Sequence, residues 1–121
     1  MAPEAHDAAF AAVSHLPHLL AFALMGAIQS QPDAERLLAL AGPGFRDFTR
    51  IAAGDPALWR DVLLANREQV LAQSQQFAAA LDMLQQAMRS GDGQLLHDLI
   101  TLASTARARW RLGDHALPTD S

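Results

Sequence analysis

A long segment without helix-breaking residues constrains this chain more than any other feature. No glycine or proline occurs between Pro56 and Arg89, and Asp55 immediately before Pro56 is typical of a helix start. A continuous helix over this segment would be roughly 50 Å long at about 1.5 Å per residue. A globule of 121 residues has a diameter of only about 35 Å. We therefore predict that this helix extends beyond the core of its own chain.

The same segment carries a seam of apolar side chains. They recur every seven residues and fill offset positions in the later turns; they are Leu63, Val70, Phe77, Leu81, Leu84 and Met88. The far end of the seam would be exposed to water unless the last helix or a second subunit covered it. We therefore predict an obligate homodimer in which the long helices and their neighbours interlock.

The first part of the chain predicts a buried helix with one distortion. Residues 8–28 are rich in Ala, Leu and Phe, and Asp7 stands at the N-cap position. Pro17 lies inside this helix, where it removes a backbone hydrogen bond, so a kink is expected over residues 13–17.

The remaining predicted elements are also helical. They are a helix from Pro32 to Gly42, a short helical or irregular piece over residues 45–53, and a last helix from Asp92 to about Leu112 with Gly113 as its stop. No segment calls for a strand. The sequence therefore predicts one all-α domain over residues 1–121.

Composition excludes several classes of protein. The 9 basic residues, all Arg, face 13 acidic ones, and a net charge of −4 argues against a nucleic-acid-binding protein. The chain has no Cys, so it has neither disulfides nor thiolate metal sites, and it lacks a Gly-rich phosphate loop. Residues 1–7 lack the features of a targeting segment, and the apolar run 19–28 is shorter than the ~20 residues of a membrane span. We expect a cytoplasmic protein that does not bind membranes.

The first candidate site is the segment 14–18, SHLPH. Ser14 and His18 share one helical face, and His15 and His18 are three residues apart, so a hydroxyl and two imidazoles converge at the predicted kink. Two histidines that are merely hydrogen-bonded within a core explain the spacing equally well. A zinc site would need a third protein ligand, and a Ser-His nucleophile would need an orienting acid. Neither is evident, and no metal is expected.

The second candidate site is the segment 44–51, GFRDFTRI. It places Arg46, Asp47 and Arg50 within a turn and a half, among aromatic and aliphatic neighbours. Arg binds a carboxylate through two parallel hydrogen bonds, so this cluster suits an anionic ligand. The residues alone slightly favour a surface ion pair between Asp47 and one of the arginines, which contributes only about 0–1 kcal/mol.

Other polar groups suggest no site. Three arginines and Trp110 form the expected solvated end of the last helix, where cations interact favourably with the helix dipole; the arginines are Arg107, Arg109 and Arg111. The remaining histidines have no neighbours in sequence that indicate a site; they are His6, His97 and His115.

Four blocks together carry a resemblance to a known family. They are HD at 6–7, SHLPHLLAFAL at 14–24, GFRDFTRIA at 44–52, and DPALWRDV at 55–62 followed by Asn66. In this order and spacing they resemble the C-terminal domain of prephenate dehydrogenases. The resemblance is sharp as far as residue 67 and general beyond it.

The resemblance implies a fold and an activity. The fold would be an intertwined helical dimerisation domain, similar to the C-terminal domains of 6-phosphogluconate-dehydrogenase-like enzymes. The activity would be the oxidative decarboxylation of prephenate, or of arogenate in close relatives, with NAD or NADP as hydride acceptor in tyrosine biosynthesis. In the family an N-terminal domain binds the nucleotide and carries the histidine that polarises the substrate hydroxyl. The chain by itself is therefore expected to bind no cofactor and to be catalytically inactive.

The resemblance also assigns roles to single residues. His15 and His18 match the paired histidines that line the family's substrate cleft, and Ser14 is the accompanying hydroxyl. Arg50 matches the arginine expected to bind a prephenate carboxylate. Trp59 would pack near the ring of the substrate or in the core, and Asp47 would orient Arg50 or gate the cleft.

A hypothesis from another class is a helical module without enzymatic activity. Such a module would be a dimer that binds a protein partner or senses an aromatic ligand. A reading frame upstream of Met1 that encodes a Gly-rich nucleotide loop would favour the enzyme, and its absence would favour the module.

Overall fold

The computed structural model describes residues 2–110, and within them every regular element is helical. The elements are α1 (Pro3–Phe10), a π turn (Ala11–His15), α2 (Leu16–Gln29), α3 (Ala34–Ala39), α4 (Pro43–Thr49), a 3-10 turn (Arg50–Ala53), α5 (Pro56–Ala65), α6 (Arg67–Ser90) and α7 (Gly93–Arg109). The predicted all-α fold is confirmed.

The first helix begins earlier than its sequence indicates. α1 starts at Pro3, so Asp7 lies inside the helix and the prediction that it is the N-cap is wrong. Proline suits a first helical position because its missing N–H has no partner there in any case. The expected distortion before Pro17 is present as the π turn, in which the backbone N–H of Leu16 bonds to the carbonyl of Ala11.

The predicted continuous helix from Pro56 to Arg89 is interrupted at Asn66. Asn66 has φ −112° and ψ 31°, so it caps α5 and separates that helix from α6. Asn hydrogen-bonds readily to local backbone and has a low helix propensity, which makes it a natural place for a break. The prediction of one helix of roughly 50 Å is therefore wrong. Leu63 lies on α5, and the rest of the apolar seam lies on α6.

Caps define the other helix ends. The carboxylate of Asp55 accepts a hydrogen bond from the N–H of Leu58 at 3.3 Å, and that of Asp92 accepts one from Leu95 at 3.0 Å. Both predicted N-caps are thus confirmed. The second helix starts at Ala34, two residues after Pro32. α7 ends at Arg109, before the predicted end at Leu112; Leu112 and the predicted stop Gly113 lie outside the described residues.

The chain consists of two compact units, whose described parts cover residues 3–73 and 74–110. In the first unit α2 is central, because α3, α4 and the 3-10 turn all pack against it. Few side chains are buried: among the described residues the buried apolar ones are Ala11, Ala21, Val70 and Ala87. None of these is large, so each unit lacks the core that a stable isolated domain of this size requires.

The helical stretch Pro3–Gln29 is longer than the apolar run considered above. By length and composition alone it is sufficient to cross a membrane, a test that core helices of soluble proteins also pass. This stretch exceeds the apolar run 19–28 because α1, the π turn and α2 follow one another without a break. Within it, Ser14, His15 and His18 introduce polar groups between its apolar turns.

Candidate functional site: an imidazole–indole cluster beside two clefts

The π turn positions both histidines. Pro17 has no backbone N–H, and its ring would collide with the carbonyl four residues earlier in a regular helix. The wider turn over Ala11–His15 accommodates this proline. His15 is the last residue of the π turn, and His18 lies in the first turn of α2. Both imidazoles are half-buried.

His18 is held by two contacts. Its Nδ1 lies 2.9 Å from the backbone carbonyl oxygen of Ser14. Since a carbonyl oxygen only accepts hydrogen bonds, Nδ1 carries the proton. The imidazole also stacks on the indole of Trp59, with ring centroids 3.6 Å apart and an angle of 18° between the planes. The Ser14 backbone therefore fixes one edge of this ring and Trp59 supports one face.

Trp59 lies at the centre of an aromatic cluster. The Asp55 cap starts α5 and places Trp59 in its first turn. His15 meets the indole edge-on at 6.1 Å between centroids, and Phe22 does so at 6.3 Å. Such edge-to-face contacts each contribute about 0.5–1.5 kcal/mol beyond burial. The cluster thus joins α5 to α2 and the π turn.

Gly54 permits this position of Trp59. A Cβ atom at Gly54 would lie 2.9 Å from both Cδ1 and Nε1 of the indole, closer than real Cβ contacts allow. The backbone of Gly54 is extended, with φ −70° and ψ 168°, so the requirement for glycine arises from space and not from its dihedral angles.

We expect Gly54→Ala to displace Trp59 from His18. Overpacking of this kind costs about 1–3 kcal/mol. The free energy of unfolding should fall by that amount, and the tryptophan fluorescence of the folded protein should change. Gly44→Ala is the matched control, because nothing lies within 4 Å of a Cβ at that position. Equal effects of the two substitutions would contradict the contact.

His15 is fixed by a different partner. The side-chain Nδ2 of Asn66 donates to the carbonyl oxygen of Asp7 at 2.8 Å and lies 3.3 Å from Nδ1 of His15. An amide nitrogen has two hydrogens, so it donates to both groups. Asn66, at the break between α5 and α6, thereby connects the π turn to α1.

Two clefts flank the cluster within residues 3–73. The first has a volume of about 430 Å³ and contains His15 and Asn66; its lining is His6, Asp7, Phe10, His15, Val62, Ala65 and Asn66. The second has a volume of about 350 Å³ and is mostly apolar; its lining is Phe22, Ala52, Gly54, Pro56, Trp59, Arg60 and Leu63. His15 and Asn66 therefore provide polar groups in the first cleft, and Trp59 provides an indole in the second.

The structure brings together only some of the predicted site residues. His15 and His18 both contact Trp59, and Ser14 participates through its carbonyl. Arg50 is exposed at the start of the 3-10 turn, which packs on α2. Among the described residues no ion pair joins Asp47 to Arg46 or Arg50, so the alternative of a surface ion pair is not what the structure shows. Asp47 instead lines a small cleft with Arg46.

Two further residues at the site were not selected from the sequence. His6 lines the first cleft with His15 and packs against Phe10 with 4.4 Å between ring centroids, whereas its neighbours in sequence indicated no site. Placing the helix start after residue 7 left His6 outside the helix that carries it. Asn66 was part of a matched block, but its hydrogen bond to His15 spans 51 positions of sequence, which helix periodicity does not reveal.

The other predicted clusters lie on α7, in the second unit. The Arg107 guanidinium lies 5.0 Å from the centre of the Trp110 ring at the end of α7. His97 is exposed on α7 beside Asp98, at 3.4 Å. Arg111 and His115 are outside the described residues.

Known proteins are similar to this chain in sequence. The chain is 36% identical over 109 residues to a cyclohexadienyl dehydrogenase of Zymomonas mobilis, covering 88% of this chain and 37% of that protein. It is 35% identical over 100 residues to a prephenate dehydrogenase of Bacillus subtilis, covering 79% of this chain and 26% of that protein. The chain thus spans about a quarter to two fifths of these curated relatives, in the C-terminal part of their sequences.

Two solved structures are similar as well. The arogenate dehydrogenase of Synechocystis superposes with a TM-score of 0.85 at 29% identity, covering 92% of this chain and 41% of that one. The prephenate dehydrogenase of A. aeolicus, solved in complex with hydroxyphenyl propionate and NAD+, gives a TM-score of 0.75 at 39% identity, covering 89% and 38%. The family described as "Prephenate dehydrogenase, dimerization domain" matches residues 2–102. This chain therefore belongs to the prephenate dehydrogenase dimerization-domain family.

Proposed function

We propose that this chain is the dimer-forming and substrate-binding part of a prephenate dehydrogenase, an NAD(P)-dependent enzyme of aromatic amino acid biosynthesis. The observation that best supports this proposal is the stacking of His18 on Trp59, with 3.6 Å between ring centroids. His15 meets the edge of the same indole, and a cleft lies on either side. An imidazole pair beside an indole suits a ligand that has both a ring and oxygen atoms. Prephenate and arogenate have this chemistry.

Each residue of the proposed site has a distinct role. His15 and His18 hydrogen-bond the substrate, and Ser14 fixes the orientation of His18 through its carbonyl. Trp59 supports the ring of the substrate. Arg50 binds a carboxylate, since its side chain is exposed at the start of the 3-10 turn that packs on α2. Asp47, three residues before Arg50 in the sequence, controls the access of the substrate to Arg50.

The nucleotide is proposed to bind elsewhere in the enzyme. Residues 2–110 contain no strand, and no Gly-rich phosphate loop occurs in the sequence, so these residues do not fit a dinucleotide. We therefore expect no dehydrogenase turnover from this chain alone. Detectable reduction of NAD+ or NADP+ with prephenate by the purified chain would contradict this proposal.

The proposed dimer explains the exposed apolar side chains of the second unit. Phe77, Leu81, Leu84 and Met88 fall within about 60° of arc on α6 at 3.6 residues per turn. Phe77 and Met88 are 39% and 67% exposed. α7 has no buried residue at all. A second copy that packs on these helices would supply the missing core.

The cellular setting follows from this function. We propose a soluble, cytoplasmic protein in which the apolar faces of α1 and α2 contact protein and not lipid. The net charge of −4 gives no general attraction for nucleic acids or anionic membranes.

Replacing Arg50 tests the substrate site. Arg50→Ala removes a charge-assisted hydrogen bond, which contributes about 1.5–3 kcal/mol, so affinity for the substrate should fall roughly 10- to 100-fold. Isothermal titration of the chain with hydroxyphenyl propionate measures this directly. In a dehydrogenase that contains this domain, the KM for prephenate should rise more than kcat falls.

Arg36→Ala is the matched control, because Arg36 is an exposed arginine of α3 and lies outside the four blocks that carry the resemblance. It should leave the affinity unchanged. An unaltered affinity in Arg50→Ala, or an equal loss in both variants, would count against the assignment of Arg50.

A further inference from the structure

Among residues 2–110, Asn66 is the only side chain that hydrogen-bonds to His15. Its Nδ2 lies 3.3 Å from His15 Nδ1 and 2.8 Å from the carbonyl oxygen of Asp7. The Asp7 carbonyl accepts only, so it selects the amide nitrogen, not the amide oxygen, for this side. The second hydrogen of the same nitrogen then faces His15. The Asp7 backbone thus determines which end of the Asn66 amide the imidazole meets.

This contact determines where a neutral His15 carries its proton. An imidazole nitrogen that accepts a hydrogen bond has no hydrogen of its own, so the proton of His15 is on Nε2. His18 has the opposite arrangement, because its Nδ1 donates to the Ser14 carbonyl at 2.9 Å and its Nε2 therefore bears a lone pair. The two histidines, three residues apart on one helical stretch, are held as different tautomers.

We propose that Asn66 is a positioning residue that keeps His15 in the Nε2–H form and thereby makes it a hydrogen-bond donor to the ligand. With His18 as acceptor, the pair presents one donor and one acceptor. Such a pair favours a ligand with a hydroxyl or carboxyl group that complements both. This inference rests on the proposed function, since it takes His15 and His18 as ligand-binding groups. It adds a residue to which no role in the site was assigned.

The location of Asn66 makes this arrangement rigid. It interrupts the helical run between α5 and α6, its backbone N–H bonds to Val62, and its carbonyl accepts from Val70. The backbone of Asn66 is therefore hydrogen-bonded to both helices at the break, while its side chain contacts the π turn. The break in the predicted long helix thus has a function in the site.

Ring tautomers are measured directly by long-range proton–nitrogen correlation spectra of the isotope-labelled chain. The spectra are recorded in mildly alkaline solution, where an ordinary imidazole is neutral. The unsubstituted chain should show His15 protonated on Nε2 and His18 protonated on Nδ1. Asn66→Asp has the same shape but accepts hydrogen bonds, so it should move the His15 proton to Nδ1. His18 is the internal control and should keep its tautomer in both proteins.

The ligand response is measured with hydroxyphenyl propionate at millimolar concentration. Asn66→Asp should weaken its binding roughly 5- to 10-fold, the loss expected when one hydrogen-bond donor is removed. Asn66→Ala provides a second variant, without a charge near the Asp7 carbonyl, should Asn66→Asp fold poorly. It should lose the Asn66 contact and weaken binding less than Asn66→Asp.

The outcomes separate this inference from the proposed function. A proton on Nδ1 of His15 in the unsubstituted chain overturns the inference, even if no variant folds. A tautomer change with unaltered binding overturns the donor role of His15, while a loss in Arg50→Ala still supports the function. If hydroxyphenyl propionate binds Arg50→Ala as tightly as the unsubstituted chain, the proposed function is contradicted. The ring spectra then still decide whether Asn66 sets the tautomer of His15.

Discussion

The double substitution Phe77→Asp and Leu81→Asp is expected to dissociate the proposed dimer. Each large apolar side chain buried at an interface contributes about 1.5–3 kcal/mol, and every substitution counts twice in a symmetric dimer. One substitution alone should then weaken association by roughly 3–6 kcal/mol, or more than 100-fold. Two carboxylates placed on the same face add the cost of burying unpaired charge. Sedimentation velocity of the chain over a concentration series measures the change.

Met83→Asp is the matched control for this experiment. Met83 is 54% exposed on the same helix, but it lies about 200° around the axis from Leu81. It should leave the dimer largely intact. A well-folded monomer of the unsubstituted chain at micromolar concentration would disprove the dimer altogether. Equal dissociation by Met83→Asp would disprove the assignment of the interface to the seam.

Removing the indole of Trp59 should have the largest effect within the first unit. Trp59→Ala deletes the ring that contacts His15, His18 and Phe22. Replacing a fully buried Trp by Ala lowers the free energy of unfolding by about 3–5 kcal/mol. Because Trp59 is only half-buried, we expect about 2 kcal/mol. Urea unfolding followed by circular dichroism, at one fixed protein concentration, measures the loss. Binding of hydroxyphenyl propionate should be abolished in the same variant.

The second tryptophan provides the control. Trp110 is 44% exposed at the end of α7 and contacts Arg107, a cation–π interaction that contributes about 0.5–1 kcal/mol at exposed sites. Trp110→Ala should therefore cost less than half as much as Trp59→Ala and leave ligand binding unchanged. Trp59→Phe retains an aromatic ring and should restore most of the stability but not all of the binding. A stable, ligand-binding Trp59→Ala variant would contradict the role of the cluster.

Local signals predicted two of the three N-caps and the distortion near Pro17 correctly. Asp55 and Asp92 cap their helices because an N-cap interaction spans only three residues and is encoded in adjacent sequence. The π turn follows from the missing N–H of Pro17, also a local cause. The starting residue of α1 and the break at Asn66 were missed. The first depends on a weak Pro3 signal, and the second on a single Asn, whose low helix propensity is not by itself enough to predict a break.

The sequence likewise predicted some features of the candidate site and missed others. Helix periodicity and the resemblance selected His15, His18 and Trp59, which lie together. They did not reveal that Ser14 acts through its carbonyl, because sequence spacing does not indicate which atom of a residue makes the contact. They also did not explain why position 54 is glycine. Its Cα lies against an indole that only folding brings there.

The sequence by itself determined the all-α class and the apolar seam for which a partner is proposed, and its resemblance to a known family selected the segments of the candidate site. The class and the seam arise from periodicity and capping, which act between residues a few positions apart. Only the tertiary structure decided that the long helical segment is divided at Asn66, that His6 shares a cleft with His15, and that the two imidazoles have different hydrogen-bond partners. Those features depend on hydrogen bonds and ring contacts between distant segments, whose geometry no local pattern encodes.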